Sequence, residues 1–253
     1  SLALAKRVKE RNSQTITLFG GANFEGAMGC ELVKSIPWVD MAISGEADES
    51  FPLLLDRLSV GESISDVPGI IIKKDSSVLY NESVEFRNLD SLPFPDYHQY
   101  FSQADETGVL PEAPRRVVDI PFETSRGCWW GQRSKCAFCA LNANSFSYRI
   151  KKPERAKKEI DHLSREYRSF NFQAMDNIIP KNYMDQFLRP LAEEECSYTL
   201  FYEVRPTLKK EDIELFSLSG VKNIQLGIES LSTHVAKLMK KGFCAIDCIN
   251  ILR

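Results

Sequence analysis

No apolar run in these 253 residues reaches the roughly 18–20 positions that a bilayer span needs, so no membrane partner is expected. The opening SLALAKRVKERN mixes apolar with charged positions and lacks the apolar stretch of a signal peptide. A formal net charge of −3 offers no surplus of either sign for nucleic acid or an anionic surface. A disulfide framework is not expected either, because the seven cysteines are odd in number and mostly scattered. Histidine is scarce, three in all. His162, the one nearest the clustered cysteines, falls on an expected helix and reads as an exposed polar residue. What remains is a soluble, cytoplasmic chain, 43% hydrophobic and 26% charged, long enough to bury a real core.

The first 85 residues read as an α/β unit. LALAKRVKERN has helical spacing, with Leu2, Ala5 and Val8 apolar between charges. TITLFGG (15–21) is a short apolar strand ending in Gly20 and Gly21. A helix near 27–35 follows, then the strand VDMAISGE (39–46), which runs into Gly45 and Glu46. DESFPLLLDRL reads as helix, and VPGIIIKKDSSVLYN (67–81) as a hairpin. Strands alternating with helices imply a parallel, doubly wound sheet. Because the chain opens on a helix without a preceding strand, the expectation is that it starts partway through a domain. Residues 86–116 carry two pairs of closely spaced prolines and read as an irregular linker.

From 117 the alternation resumes with longer spacing. VVDIPFET is a strand, followed by the cysteine segment. A helix starts at Pro153, a favoured first-turn position, with Ala156, Ile160, Leu163 and Tyr167 as its apolar stripe. FNFQAMD, TLFYEVR and NIQLGIES are three more strands. Each precedes a helix, and Gly220 caps the helix that follows TLFYEVR. Four βα units suggest a barrel-type parallel sheet whose working residues sit at the C-terminal strand ends. Four strands cannot close a barrel, so a fragment cut at both ends is expected, with the outer edge of the fourth strand open.

The strongest chemical signal is FETSRGCWWGQRSKCAFCALN (122–142). Three thiols, Cys128, Cys136 and Cys139, suit a cubane iron–sulfur cluster that keeps one iron open for another ligand. Structural zinc wants four ligands, and no fourth Cys or His lies near in sequence. On spacing alone, an iron–sulfur centre, zinc and inert thiols all stay open. Cys30, Cys196, Cys244 and Cys248 read as plain thiols, although Cys244 and Cys248 would share a helix face.

With GCWWG, CAFCALN, MDNIIP, YEVRPTL, QLGIESLS and MKKG in view, the chain resembles the radical-SAM superfamily, whose cluster loop follows the first strand of a partial barrel. Most members space their cysteines CxxxCxxC; here the first gap is widened to seven. The wider gap and these words resemble the cobalamin-dependent branch associated with maturation of ribosomally made peptides, often of C-methyltransferase type. The resemblance covers nearly the whole chain. It implies that residues 1–85 are the C-terminal part of a cobalamin-binding Rossmann-like domain, and that 117–253 are the N-terminal part of a radical-SAM barrel.

Cofactors follow from the resemblance: a [4Fe–4S] cluster on Cys128, Cys136 and Cys139, S-adenosylmethionine chelated to the open iron, and cobalamin in the parent protein. One-electron cleavage of S-adenosylmethionine would give a 5′-deoxyadenosyl radical that takes hydrogen from substrate, while the protein orients and shields. Phe138 matches the aromatic residue the superfamily sets against adenine, and Trp129 and Trp130 would shield the cluster. Asp176 and Asn177 fall where amino-group contacts lie. Glu203 and Arg205 end the third strand, with Arg205 suited to the methionyl carboxylate. Gln225, Glu229 and Ser230 occupy a position suited to ribose hydroxyls. Any of these strand-end residues could equally be solvated rim, and no residue is singled out as catalytic. Gly20, Gly21, Gly45 and Glu46 are the implied cobalamin contacts, although no axial-histidine motif is present. The implied partners are a precursor peptide and an electron donor such as flavodoxin or ferredoxin. A different radical reaction, a small-molecule substrate, or a non-catalytic zinc- or cluster-binding module are the alternatives.

Overall fold

A computed structural model of the chain describes residues 1–74, 77–109, 118–140, 147–195 and 197–253. They form two units, one on Ser1–Arg87 and the other from Asn88 onward.

In the first unit, β1 (Leu18–Phe19) lies parallel to β2 (Met41–Ile43), which pairs antiparallel with β3 (Ile70–Lys74); β3 in turn pairs with β4 (Ser77–Tyr80). The sheet is therefore mixed, not wholly parallel. The third strand returns antiparallel to the second after a long connection, and only two residues separate it from the fourth, a link that only an antiparallel pair can make. Helices α1 (Leu2–Arg11), α2 (Gly26–Ser35) and α3 (Ser50–Val60) cover it. Side chains alternate along a strand, so each strand feeds two cores. Ala42 and Ile71 join Phe24 and Val33 on one face, while Met41, Ile43 and Ile70 pack with Leu54 on the other.

The second unit holds a four-stranded parallel sheet in the order β10-β9-β8-β5, made of β5 (Asp119–Phe122), β8 (Asn171–Ala174), β9 (Thr199–Val204) and β10 (Val221–Leu226). Among the described residues β5 and β10 are its two edges, so the sheet is open. Helix α6 (Pro153–Tyr167) buries Ala156, Ile160, Leu163 and Tyr167 against this sheet, the stripe its spacing predicts. After β8 the chain forms a π-helical turn, Met184–Leu188, before α7 (Arg189–Glu193). Pro190 has no N–H for the ordinary i−4 bond, which accounts for the change of helical pitch. Helices α8 (Lys210–Leu218), α9 (Thr233–Leu238) and α10 (Ala245–Leu252) complete the unit.

Residues 86–116 do not form a wholly irregular linker. Helix α4 (His98–Thr107) buries Phe101 and Ala104, and Phe101 stacks on Tyr167 at 5.1 Å. Arg155 of α6 donates to the carbonyls of Asp90 and Leu92 and pairs with buried Glu159, which also holds Lys151 at 2.9 Å. Prolines at 93 and 95 shape the approach, but apolar burial and these bonds fasten the segment to the second unit. Residues 110–117, at the far end of that span, lie outside the described residues, as do 141–146 and Cys196.

Candidate functional site

The cysteine segment leaves the sheet after β5 and is stapled at its base. Two-residue strands β6 (Ser125–Arg126) and β7 (Arg149–Ile150) pair antiparallel, and Lys151 donates its N–H to the Thr124 carbonyl at 2.9 Å. Cys128 then caps the short helix α5 (Trp129–Arg133), its Sγ accepting from the Gly131 N–H at 3.4 Å. Cys136 and Cys139 follow in a tight turn, with the Cys139 N–H donating to the Cys136 carbonyl.

All three thiols open on one cavity of about 160 Å³, together with Trp130 and Phe138. Asn177 and Ile178 reach it from the end of β8, and Glu203, Val204 and Arg205 from β9. Gln225, Gly227 and Glu229 come from β10 and the turn beyond it, and Lys241 from the segment after α9. The register sets Gln225 directly beside Glu203, which puts both on one wall. No three His, Cys, Asp or Glu side chains among the described residues gather at a point that one metal ion could occupy. A single zinc ion would hold its thiolates about 2.3 Å from its centre. Three thiols on the wall of one cavity fit a four-iron cluster, which takes three thiolates and leaves one iron for another ligand.

Charge is concentrated on the walls. Arg205 is half-buried, with its guanidinium 3.9 Å from the centre of the Trp130 ring. Burial lowers its pKa, while Cys136, Cys128 and Glu229 pull it back up. Burial likewise raises the Cys136 thiol, opposed by Lys241 and Arg205. The carboxyl of Glu203 is raised by burial and then by Glu229. Lys241 is buried, and its ammonium lies 2.5 Å from a Glu229 carboxylate oxygen and 5.5 Å from the Phe138 ring. This lysine was not anticipated as a site residue. The signal available in the sequence was a lysine just before a helix-ending glycine, in MKKG.

Two expected contacts do not reach the cavity wall. Asp176 is fully buried behind it, accepting from the N–H and hydroxyl of both Thr124 and Ser125. With both oxygens committed, it ties the end of β8 to the start of the cysteine segment. Ser230 turns its hydroxyl to the Ser232 N–H at 3.1 Å, at the start of α9. Trp129 also points elsewhere, donating its indole N–H to the Ile179 carbonyl at 3.2 Å. Cys244 and Cys248 share no site: Cys244 is exposed at the cap of α10 and Cys248 is buried.

In the first unit, Gly20 and Gly21 follow β1 along an open groove that α1 also lines. A side chain at Gly21 would meet nothing within 4 Å, so backbone there is free for close approach by a ligand. Gly45 and Glu46 are not free in this way. A Cβ at Gly45 would lie 2.6 Å from Ser83, and Glu46 accepts from the Phe86 N–H at 2.9 Å while it lines a small pocket with Asp48 and Glu49.

A family model for the Radical SAM superfamily matches residues 122–249, a little over half of the chain. An uncharacterized methyltransferase of Pyrococcus horikoshii is 25% identical over 99% of this chain and 53% of its own length. Among solved structures, the cobalamin-dependent S-adenosylmethionine radical enzyme OxsB, with aqua-cobalamin and S-adenosylmethionine bound, superposes with a TM-score of 0.71 at 18% identity. It matches all of this chain over 36% of its own. The radical S-adenosylmethionine methyltransferase TsrM from Kitasatospora setae, with tryptophan substrate and a SAM analogue bound, gives 0.72 at 15% identity, over 50% of its length. At these identities the likeness to the solved structures concerns the fold. The chain spans about half the length of the curated relative, and half or less of these structures.

Proposed function

Because the chain belongs to the radical SAM superfamily, we propose that Cys128, Cys136 and Cys139 hold a [4Fe–4S] cluster in a cobalamin-dependent methyltransferase. The observation that carries this is the single cavity shared by the three thiols and the polar ends of β8, β9 and β10. When bound, the groups supply one-electron cleavage of S-adenosylmethionine and, in cobalamin, a methyl carrier. The chain's own work is to bind and shield. Phe138 offers a flat apolar face for adenine. Arg205, stacked and half-buried, offers a planar two-pronged donor for the methionyl carboxylate. Glu203, Gln225 and Glu229 offer acceptors for the amino group and the ribose hydroxyls, and Asn177 stands beside them. Gly20 and Gly21, beside an open groove, are the first unit's leading candidates for cobalamin contact, ahead of Gly45 and Glu46. That the neighbours OxsB and TsrM were solved with cobalamin supports this assignment.

The substrate we favour is a ribosomally made precursor peptide methylated at an unactivated carbon, in the cytoplasm, with a flavodoxin- or ferredoxin-type protein as electron donor. A small-molecule substrate is the second reading, favoured by the tryptophan bound to TsrM. No helix of the described residues is long and apolar enough to cross a membrane.

Anaerobic reconstitution followed by iron, sulfide and 5′-deoxyadenosine assays tests the assignment. Cys128→Ala should abolish 5′-deoxyadenosine formation, whereas Cys30→Ala, in the first unit, should leave it unchanged. Equal formation in the two variants would show that the ligands are misassigned.

A further inference from the structure

The turn that follows α9 offers three successive carbonyls, two to the cysteine segment and the third to Arg205 at the end of β9. Met239 accepts from the Ala137 N–H, between Cys136 and Cys139, at 3.0 Å. Lys240 accepts from the Trp130 indole N–H at 3.1 Å, and Lys241 from the Arg205 guanidinium. Met239 is the C-cap of α9, where carbonyls lack intrahelical donors, and the two carbonyls beyond it belong to the turn. The next residue sets the register. Gly242 has φ +72°, and a Cβ there would lie 2.2 Å from the Trp130 ring. Only a residue without a side chain lets the indole come this close to the backbone. The same turn carries the Lys241 ammonium into the cavity beside Glu229.

We propose that residues Met239–Phe243 act as a latch that positions the cysteine segment, with Trp130 and Gly242 as its positioning pair. Lys241 is the cation that the latch delivers to the bound S-adenosylmethionine. One element thereby fixes the spacing of the thiols and the charge of the wall opposite them. Neither bond partner is near in sequence: Trp130 and Lys240 are 110 residues apart. The latch itself is independent of what the thiols bind; the role of Lys241 rests on the function proposed above.

Two measurements on the full chain separate the parts. In the metal-free protein, alkylation of Cys136 and Cys139 by iodoacetamide is followed by mass spectrometry, with Cys30 as internal reference. Trp130→Phe keeps an aromatic ring but removes the indole N–H bond and part of the packing on Gly242, and should speed alkylation of both thiols about fivefold. Gly242→Ala should do at least as much, and Lys241→Met should not speed it. In the anaerobically reconstituted protein, Lys241→Met should keep its iron and bind S-adenosylmethionine about tenfold more weakly, with Lys241→Arg recovering part of the loss. Thermal melts confirm that each variant is folded. Unchanged alkylation in both Trp130→Phe and Gly242→Ala would overturn the latch. Unchanged S-adenosylmethionine affinity in Lys241→Met would overturn its ligand role. If the wild type takes up no cluster, the proposed function fails while the alkylation result still decides the latch.

Discussion

Strands β8 and β9 are neighbours in one sheet, and both run into charged residues expected to contact S-adenosylmethionine, yet their ends do opposite things. Asp176 turns inward and is fully buried; Glu203 and Arg205 face the cavity. Parity explains the difference. On β8 the buried positions are Phe172 and Ala174, and Asp176 continues that series. On β9 they are Leu200, Tyr202 and Val204, which leaves Glu203 and Arg205 on the alternate positions. A charge on the buried series survives only when its hydrogen bonds are complete, and Thr124 and Ser125 complete those of Asp176. Charge at a strand end therefore does not by itself mark a ligand contact.

The sharpest way to break this contrast is to remove Asp176. Asp176→Ala strands four donors and should cost about 2–4 kcal/mol at neutral pH, measured by denaturant unfolding. Glu203→Ala should cost far less. Equal losses would mean that the two ends are alike after all. The pH dependence gives a second handle. Burial pushes the Asp176 carboxyl up to about 6 from an ordinary 3.8, against the pull of Thr124 and Ser125. Between those values the unfolded chain has lost the proton that the folded chain keeps, so stability falls as pH rises through that window. The fall should be about 3 kcal/mol relative to Asp176→Asn, which does not titrate. A flat difference between the two proteins from pH 4 to 7 would contradict that burial penalty.

Arg205 tests the other side. Arg205→Lys keeps the charge but loses the planar stack on Trp130 and the bond to the Lys241 carbonyl. Affinity for S-adenosylmethionine in the reconstituted protein should drop about tenfold, by calorimetric titration, with a small change in melting temperature. A large melting shift with unchanged affinity would make Arg205 a structural residue like Asp176.

The elements that were legible in the sequence are those whose causes are local. The α6 stripe, the Gly220 cap, the hairpin at 67–81 and the four sheet strands of the second unit follow from spacing and turn chemistry within a dozen or so residues. The three cysteines were legible for the same reason. Parity could have warned that Asp176 lies on the buried series, but the donors that satisfy it are 51 and 52 residues earlier. The docked helix α4 was hidden behind prolines that signal irregularity without saying what the chain between them packs against. Lys241 was hidden by distance: nothing beside MKKG in the sequence indicates that this turn meets Trp130 and Arg205. The β6–β7 staple is two residues a side, too short to leave a periodic trace.

The smallest expected effect concerns Ser230, which shares a strand end with Gln225 and Glu229 but not their exposure to the cavity. Its hydroxyl accepts the Ser232 N–H, and Ser232 in turn caps α9 by accepting from the Val235 N–H at 3.4 Å. Two short side chains thus organise the start of the helix whose far end forms the latch. Ser230→Ala removes one exposed hydrogen bond and should cost about 0.5–1 kcal/mol of stability. It should change S-adenosylmethionine affinity by less than about twofold, since no contact with the bound molecule is lost. A tenfold loss of affinity at unchanged stability would return Ser230 to the ribose-binding group. It would also show that the cavity reaches past Glu229 toward α9 when ligand is bound.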